Sequence, residues 1–99
     1  MIEIIGAITE DRCEIVAHGH AGYAPIGQDI VCAAVSSLLC TLALCDEVDA
    51  EQSDGAMRLY GEASLTVCNL FRVFAAGLSQ IAKQYPAHVS FKWGDYKRN

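Results

Sequence analysis

Residues 18–37 read HGHAGYAPIGQDIVCAAVSS, and this segment joins an alternating stretch on its N-terminal side to an apolar run on its C-terminal side. Glycine and proline interrupt any regular pattern in its first half, and Asp29 then stands where a helix takes its N-cap. Cys32 follows in the first helical turn, while His18 and His20 precede the loop. A strand end, a short loop and a helix start in this order can bring an imidazole to a thiol.

Before this segment, alternation of apolar and polar residues predicts a β-hairpin over residues 2–9 and 13–18. After it, residues 30–45 are almost entirely apolar, which predicts a helix covered by the sheet and also by a second helix or a partner subunit. Residues 46–55 carry five acidic residues and no Lys or Arg, so we expect an exposed loop there.

The second half of the chain contains two further predicted strands and a second predicted helix. Residues 57–62 alternate as a third strand, and apolar residues at helical spacing predict an amphipathic helix that is capped by Ser64 or Thr66 and ends before Pro86. Residues 88–93 alternate as a last strand. The expected order is β-β-α-β-α-β, an α+β two-layer sandwich of about four strands and two helices.

Composition favours one acidic domain over residues 1–99. Hydrophobic residues make up 53% of the chain and charged residues 19%, a surplus of apolar side chains that suits an oligomer interface. The net charge of −5, with only seven Lys and Arg, argues against direct nucleic-acid binding and favours a basic partner.

The chain starts on an alternating apolar run without a basic region before it, and residues 30–45 are too short for a confident membrane span. We therefore expect a cytoplasmic protein that binds no membrane. The five cysteines form no Cys-x-x-Cys pair, so we expect reduced thiols. Four of them are expected to be packing residues: Cys13, Cys40, Cys45 and Cys68.

Three interpretations of Cys32 stay open on pattern alone. It could be a core thiol, or a nucleophile paired with His20, because a helix N-terminus favours a thiolate and a histidine supplies a base. It could also bind a metal together with His18 and His20, although a closed zinc site needs a fourth ligand. Ser36 lies one turn further on, where its hydroxyl reaches either towards the thiol or back to the preceding turn.

Two parts of the opening segment together carry a family resemblance. Residues 19–24, GHAGYA, and residues 27–38, GQDIVCAAVSSL, closely resemble the signature of the Prp family of bacterial ribosomal-processing cysteine proteases. Residues 77–86 also look like the end of that family's second helix. The acidic stretch over residues 46–54 is the main departure from the family pattern.

The resemblance implies a small homodimeric α+β protease that removes the N-terminal extension of large-subunit ribosomal protein twenty-seven. In family terms Cys32 is the nucleophile and His20 the general base, while Asp29 and Ser36 match supporting positions. We expect neither a cofactor nor a metal. The alternative function is that of a non-catalytic adaptor that binds basic or ribosomal peptides.

The resemblance also implies a substrate loop that includes Gly22, Tyr23 and Gly27. In the expected mechanism His20 takes the proton of Cys32, the thiolate attacks the scissile carbonyl, and backbone amides at the helix start hold the oxyanion. The glycines and proline of the loop would let it move over the peptide.

Overall fold

In the computed structural model, residues 1–25 and 28–95 are described. The elements are β1 (Ile2–Ile8), β2 (Arg12–His18), α1 (Ile30–Ala43), β3 (Asp49–Ser53), β4 (Ala56–Glu62), α2 (Leu65–Gln84) and β5 (Val89–Asp95). The strands form one sheet in the order β3-β4-β2-β1-β5, and the helices pack on one face of it. The α+β two-layer fold with two helices is confirmed, with five strands instead of about four.

The predicted alternation of the first hairpin is confirmed by its burial. Ile4 on β1 and Ile15 on β2 point into the core, and β1 pairs with β2 in antiparallel register. On its other side β1 pairs with β5 in parallel, from Ile2 beside Val89 onwards. β1 therefore lies inside the sheet, with the last strand of the fold as its neighbour.

The loop prediction for residues 46–55 is wrong over β3, which pairs with β4 at the edge of the sheet. Arg58 of β4 explains why an acidic segment becomes a strand. Its Nε donates to Glu14 Oε2 at 2.6 Å, and its Nη1 donates to Glu51 Oε2 at 3.3 Å. The guanidinium of Arg58, on the neighbouring strand, offsets the negative charge of this segment. The acidic composition of the segment alone therefore predicts a loop where a strand forms.

Both helices begin directly after a residue that the sequence predicts as an N-cap. The Asp29 side chain caps α1, and Ser64, one of the two candidate caps, accepts the Val67 N–H at the start of α2. By length and hydropathy alone, α2 is long enough to cross a membrane. One face of it is nevertheless buried in the core of this domain: Val67, Phe71, Ala75 and Leu78.

Candidate active site

Asp29 ties the loop to the start of α1. Its Oδ1 accepts the Cys32 N–H at 2.8 Å, and its Oδ2 accepts the Tyr23 N–H at 3.1 Å. Hydrogen bonds from backbone amides, that of Cys32 foremost, hold the pKa of Asp29 below its ordinary value. The charged carboxylate thus fixes both the turn that carries Cys32 and the loop residue Tyr23.

The Cys32 side chain is half-buried, and its sulfur meets the end of the loop that follows β2. The backbone N–H of Ala21, a buried residue, donates to Cys32 Sγ at 3.4 Å. An anionic sulfur accepts such a bond more strongly than a thiol does. The position of Cys32 against a cavity distinguishes it from a fully buried core thiol.

Four of the candidate residues for chemistry line one cavity of about 310 Å³: His18, His20, Cys32 and Ser36. Its apolar wall comes from both helix α1 and the sheet, and includes Val35, Leu39 and Met57. Gln52 and Ser53 of the unexpected strand β3 also line it. The cavity offers a thiol, two imidazoles and a hydroxyl beside a surface suited to apolar side chains.

The two histidines differ in their partners. His18 Nε2 lies 3.3 Å from Glu3 Oε2, across the β1–β2 pair. His20 is exposed, and no hydrogen bond joins it to Cys32 among the described residues. Within residues 1–25 and 28–95, no three His, Cys, Asp or Glu side chains converge on a possible metal position. The metal interpretation of His18, His20 and Cys32 therefore finds no ligand cluster in this part of the chain.

Of the predicted substrate loop, Gly22 and Tyr23 are described, whereas Gly27 lies outside the described residues. Gly22 is exposed and has a φ of +66°. The Tyr23 ring packs edge-on against Tyr85, with ring centres 5.5 Å apart, and against His88 at 5.3 Å. Tyr23 is thus held by the segment that connects α2 to β5.

His88 is a contact of this loop that the sequence did not reveal. Its Nδ1 lies 2.9 Å from the Ala21 carbonyl oxygen. In the sequence, His88 is merely one residue of the alternating last strand, and no local pattern relates it to Ala21. The contact becomes visible only once β5 is placed beside β1.

The other cysteines differ from one another in their burial. Cys13 is buried and its Sγ lies 3.6 Å from that of Cys68, so packing explains both. Burial, and next the hydrogen bond with Cys68, raises the pKa of Cys13 to about 12. The prediction that Cys40 is a packing residue is wrong. Its side chain is exposed on α1, where it lines the cavity.

Comparison with known proteins relates this arrangement to a protease family. The family model described as cysteine protease Prp matches residues 1–90. No curated protein matches the chain. The essential ribosomal processing protease Prp from S. aureus, in complex with a covalently linked product peptide, superposes with a TM-score of 0.80 at 21% identity, over 94% of this chain and 99% of that one.

Two further crystal structures are similar. The S. aureus Prp in complex with a substrate peptide gives a TM-score of 0.71 at 20% identity, over 94% of this chain and 99% of that one. SMU.848 from Streptococcus mutans gives 0.70 at 27% identity, over 97% and 96%. The family match spans the loop, the cavity and the start of α1, and by that match this chain belongs to the Prp family of cysteine proteases.

Proposed function

We propose that this protein is an endopeptidase that removes the N-terminal extension of large-subunit ribosomal protein twenty-seven. Cys32 is the nucleophile and His20 the general base. The observation that carries the proposal is that both side chains line one cavity in a member of a cysteine protease family. The S. aureus relative is a ribosomal processing protease, which supports a ribosomal substrate.

The reaction is acyl transfer. His20 Nε2 or Nδ1 accepts the Cys32 proton, and the thiolate attacks the scissile carbonyl to form a tetrahedral intermediate. The protonated His20 then donates to the leaving amine, which departs as the C–N bond breaks. Water, deprotonated by His20, attacks the thioester, and the C–S bond then breaks to release the carboxylic acid product. The leaving sulfur takes the proton back from His20, which restores the thiol. The exposed His20 side chain has to turn towards Cys32 for the first step, while the backbone of Ala21 and Tyr23 stays held.

Two backbone amides in the first turn of α1 already have acceptors in the free enzyme. The Cys32 N–H already donates to the Asp29 side chain at 2.8 Å, and the Ala33 N–H donates to the Asp29 carbonyl at 3.1 Å. The Ala21 N–H, by contrast, points at the sulfur itself. We therefore assign to the Ala21 amide the stabilisation of the Cys32 thiolate, and to Ser36 a polar contact with the peptide.

The substrate chemistry follows from charge and shape. A net charge of −5 attracts a basic segment, and the wall of Val35, Leu39 and Met57 accepts an apolar side chain next to the scissile bond. No contact with nucleic acid is part of this proposal.

We also propose that the protein works in the cytoplasm as a homodimer. The exposed apolar side chains of Ile30, Leu65 and Val73 on the helices support an interface there. Sedimentation equilibrium should give twice the mass of 10.7 kDa, whereas a mass that stays monomeric at micromolar concentration would refute the dimer.

A synthetic peptide that spans the extension and the first residues of the mature ribosomal protein tests the activity. The wild type should return two fragments, and Cys32→Ala or His20→Ala should lose several orders of magnitude in rate. Cys45→Ala is the matched control, because that thiol lies just after α1 and outside the cavity. An adaptor would bind the peptide and leave it intact, and a fully active Cys32→Ala variant would exclude the proposed nucleophile.

A further inference from the structure

We propose that His88 is a positioning residue for catalysis: it holds the Ala21 carbonyl, and through it the backbone of Ala21, so that the Ala21 N–H stays aimed at Cys32 Sγ. This inference rests on the proposed roles of Cys32 and Ala21. Two contacts carry it, the 2.9 Å approach of His88 Nδ1 to the Ala21 carbonyl and the 3.4 Å bond from the Ala21 N–H to the sulfur. Ala21 is thus held on both sides of its own Cα.

The direction of the first bond follows from its partners. A backbone carbonyl only accepts, so the proton of this bond sits on His88 Nδ1. Both the neutral ring with a proton on Nδ1 and the imidazolium supply it. The donor is therefore present whether or not His88 is charged, which suits a permanent support.

His88 itself is anchored by its backbone. Its N–H donates to the Tyr85 carbonyl at 2.9 Å, and its carbonyl accepts the Ile2 N–H at 2.9 Å. Its ring also packs edge-on against Tyr23, at 5.3 Å between ring centres. The loop is therefore braced from the α2–β5 connection at the two residues Ala21 and Tyr23.

Without this brace, the backbone of Ala21 can turn its N–H away from the sulfur. A donor that has to be reoriented in each turnover stabilises the Cys32 thiolate less than a fixed one does. The loss falls on the chemical step and not on peptide binding, since His88 does not line the cavity. The adjoining peptide bond connects Ala21 to His20, so the same brace also steadies the backbone of the general base.

Two variants separate the donor from the ring. His88→Phe keeps an aromatic ring against Tyr23 and removes the donor, whereas His88→Asn places an amide N–H close to where Nδ1 stood. We expect His88→Phe to lower kcat about tenfold or more with KM nearly unchanged, and His88→Asn to recover most of kcat. Lys92→Gln, at an exposed position on the following strand β5, is the control and should keep the wild-type rate.

Amide exchange, followed by NMR without substrate, tests the brace independently of cleavage. In His88→Phe the Ala21 amide should exchange at least about tenfold faster than in the wild type, while the Ile15 amide in the core of β2 stays unchanged. An unchanged kcat, a rise in KM alone, an unchanged Ala21 exchange rate, or equal acceleration at Ile15 would each overturn the proposal. If Cys32→Ala still cleaves, the proposed function fails, yet the Ala21 exchange result stands on its own.

Discussion

Asp29 serves two partners with one carboxylate, and its variants should separate them. Asparagine is a good N-cap, so Asp29→Asn should retain the bond to the Cys32 N–H. Its amide group then faces the Tyr23 N–H, donor against donor, and that bond is lost. We expect Asp29→Asn to lower cleavage with a small change in Tm, and Asp29→Ala to lower both. Equal Tm losses for the two variants would contradict this separation.

The lowered pKa of Asp29 gives a pH dependence with a definite sign. Between the lowered value and the ordinary value of 3.8, the unfolded chain binds a proton that the folded chain does not. The stabilisation is complete above about pH 3.8 and is lost as the pH falls through the lowered pKa. Asp29→Asn should lack this part of the acid sensitivity in urea titrations.

Gly19 should tolerate substitution far less than Gly22. Both have positive φ, +96° and +66°, but a Cβ on Gly19 would lie 2.3 Å from the Met1 carbonyl oxygen, whereas one on Gly22 would meet nothing within 4 Å. We expect Gly22→Ala to cost about 1 kcal/mol, for backbone strain alone. Gly19→Ala should cost about 3 kcal/mol or more, because the backbone has to move as well. Urea unfolding measures both, and equal costs would contradict the predicted clash.

At the scale of elements, the packing of β2 against α2 buries Cys13 beside Cys68 and predicts alkaline instability. The pKa of Cys13 rises from 9.0 to about 12, so between these values the unfolded chain releases a proton that the folded chain retains. Stability is complete below about pH 9 and falls by up to about 1.4 kcal/mol per pH unit above it.

Cys13→Ala is the comparison for this effect. It should start less stable, because it leaves space in the core, and should lose less stability between about pH 9 and 11 than the wild type does. Parallel pH profiles for the two proteins, measured by urea unfolding, would show that Cys13 does not carry the effect.

Elements that are determined by neighbouring residues in the sequence can be predicted from it. Elements and contacts that depend on residues far away in the sequence cannot. Alternation fixed the faces of β1 and β2, and Asp29 marked the start of α1. β3 was missed because Arg58, on another strand, offsets its acidic charges. His88 was missed because it meets Ala21 across a separation of 67 residues. The sequence motif identifies the candidate site but contains no signal for the contact of His88 with Ala21.

For the whole molecule, charge should act on the encounter with the substrate. Twelve Asp and Glu against seven Lys and Arg make an acidic surface, and attraction between this surface and a basic peptide weakens as salt screens it. We expect KM for the basic extension peptide to rise several-fold from low to high salt, with kcat nearly constant. A peptide with its basic residues replaced by glutamine is the control and should show little salt dependence. A salt-independent KM for the basic peptide would contradict electrostatic attraction.

The parallel pairing of β1 with β5 also determines when the protein becomes competent during its own synthesis. β1 lacks this neighbour until β5 has been synthesised, and such a long-range pairing forms late because loop closure has to precede it. Ile2 in the cavity wall and the support of Ala21 both depend on that closure. A nascent chain in which residues 88–95 are still unavailable therefore has no assembled site, and we expect proteolytic activity to appear only after the final strand has docked.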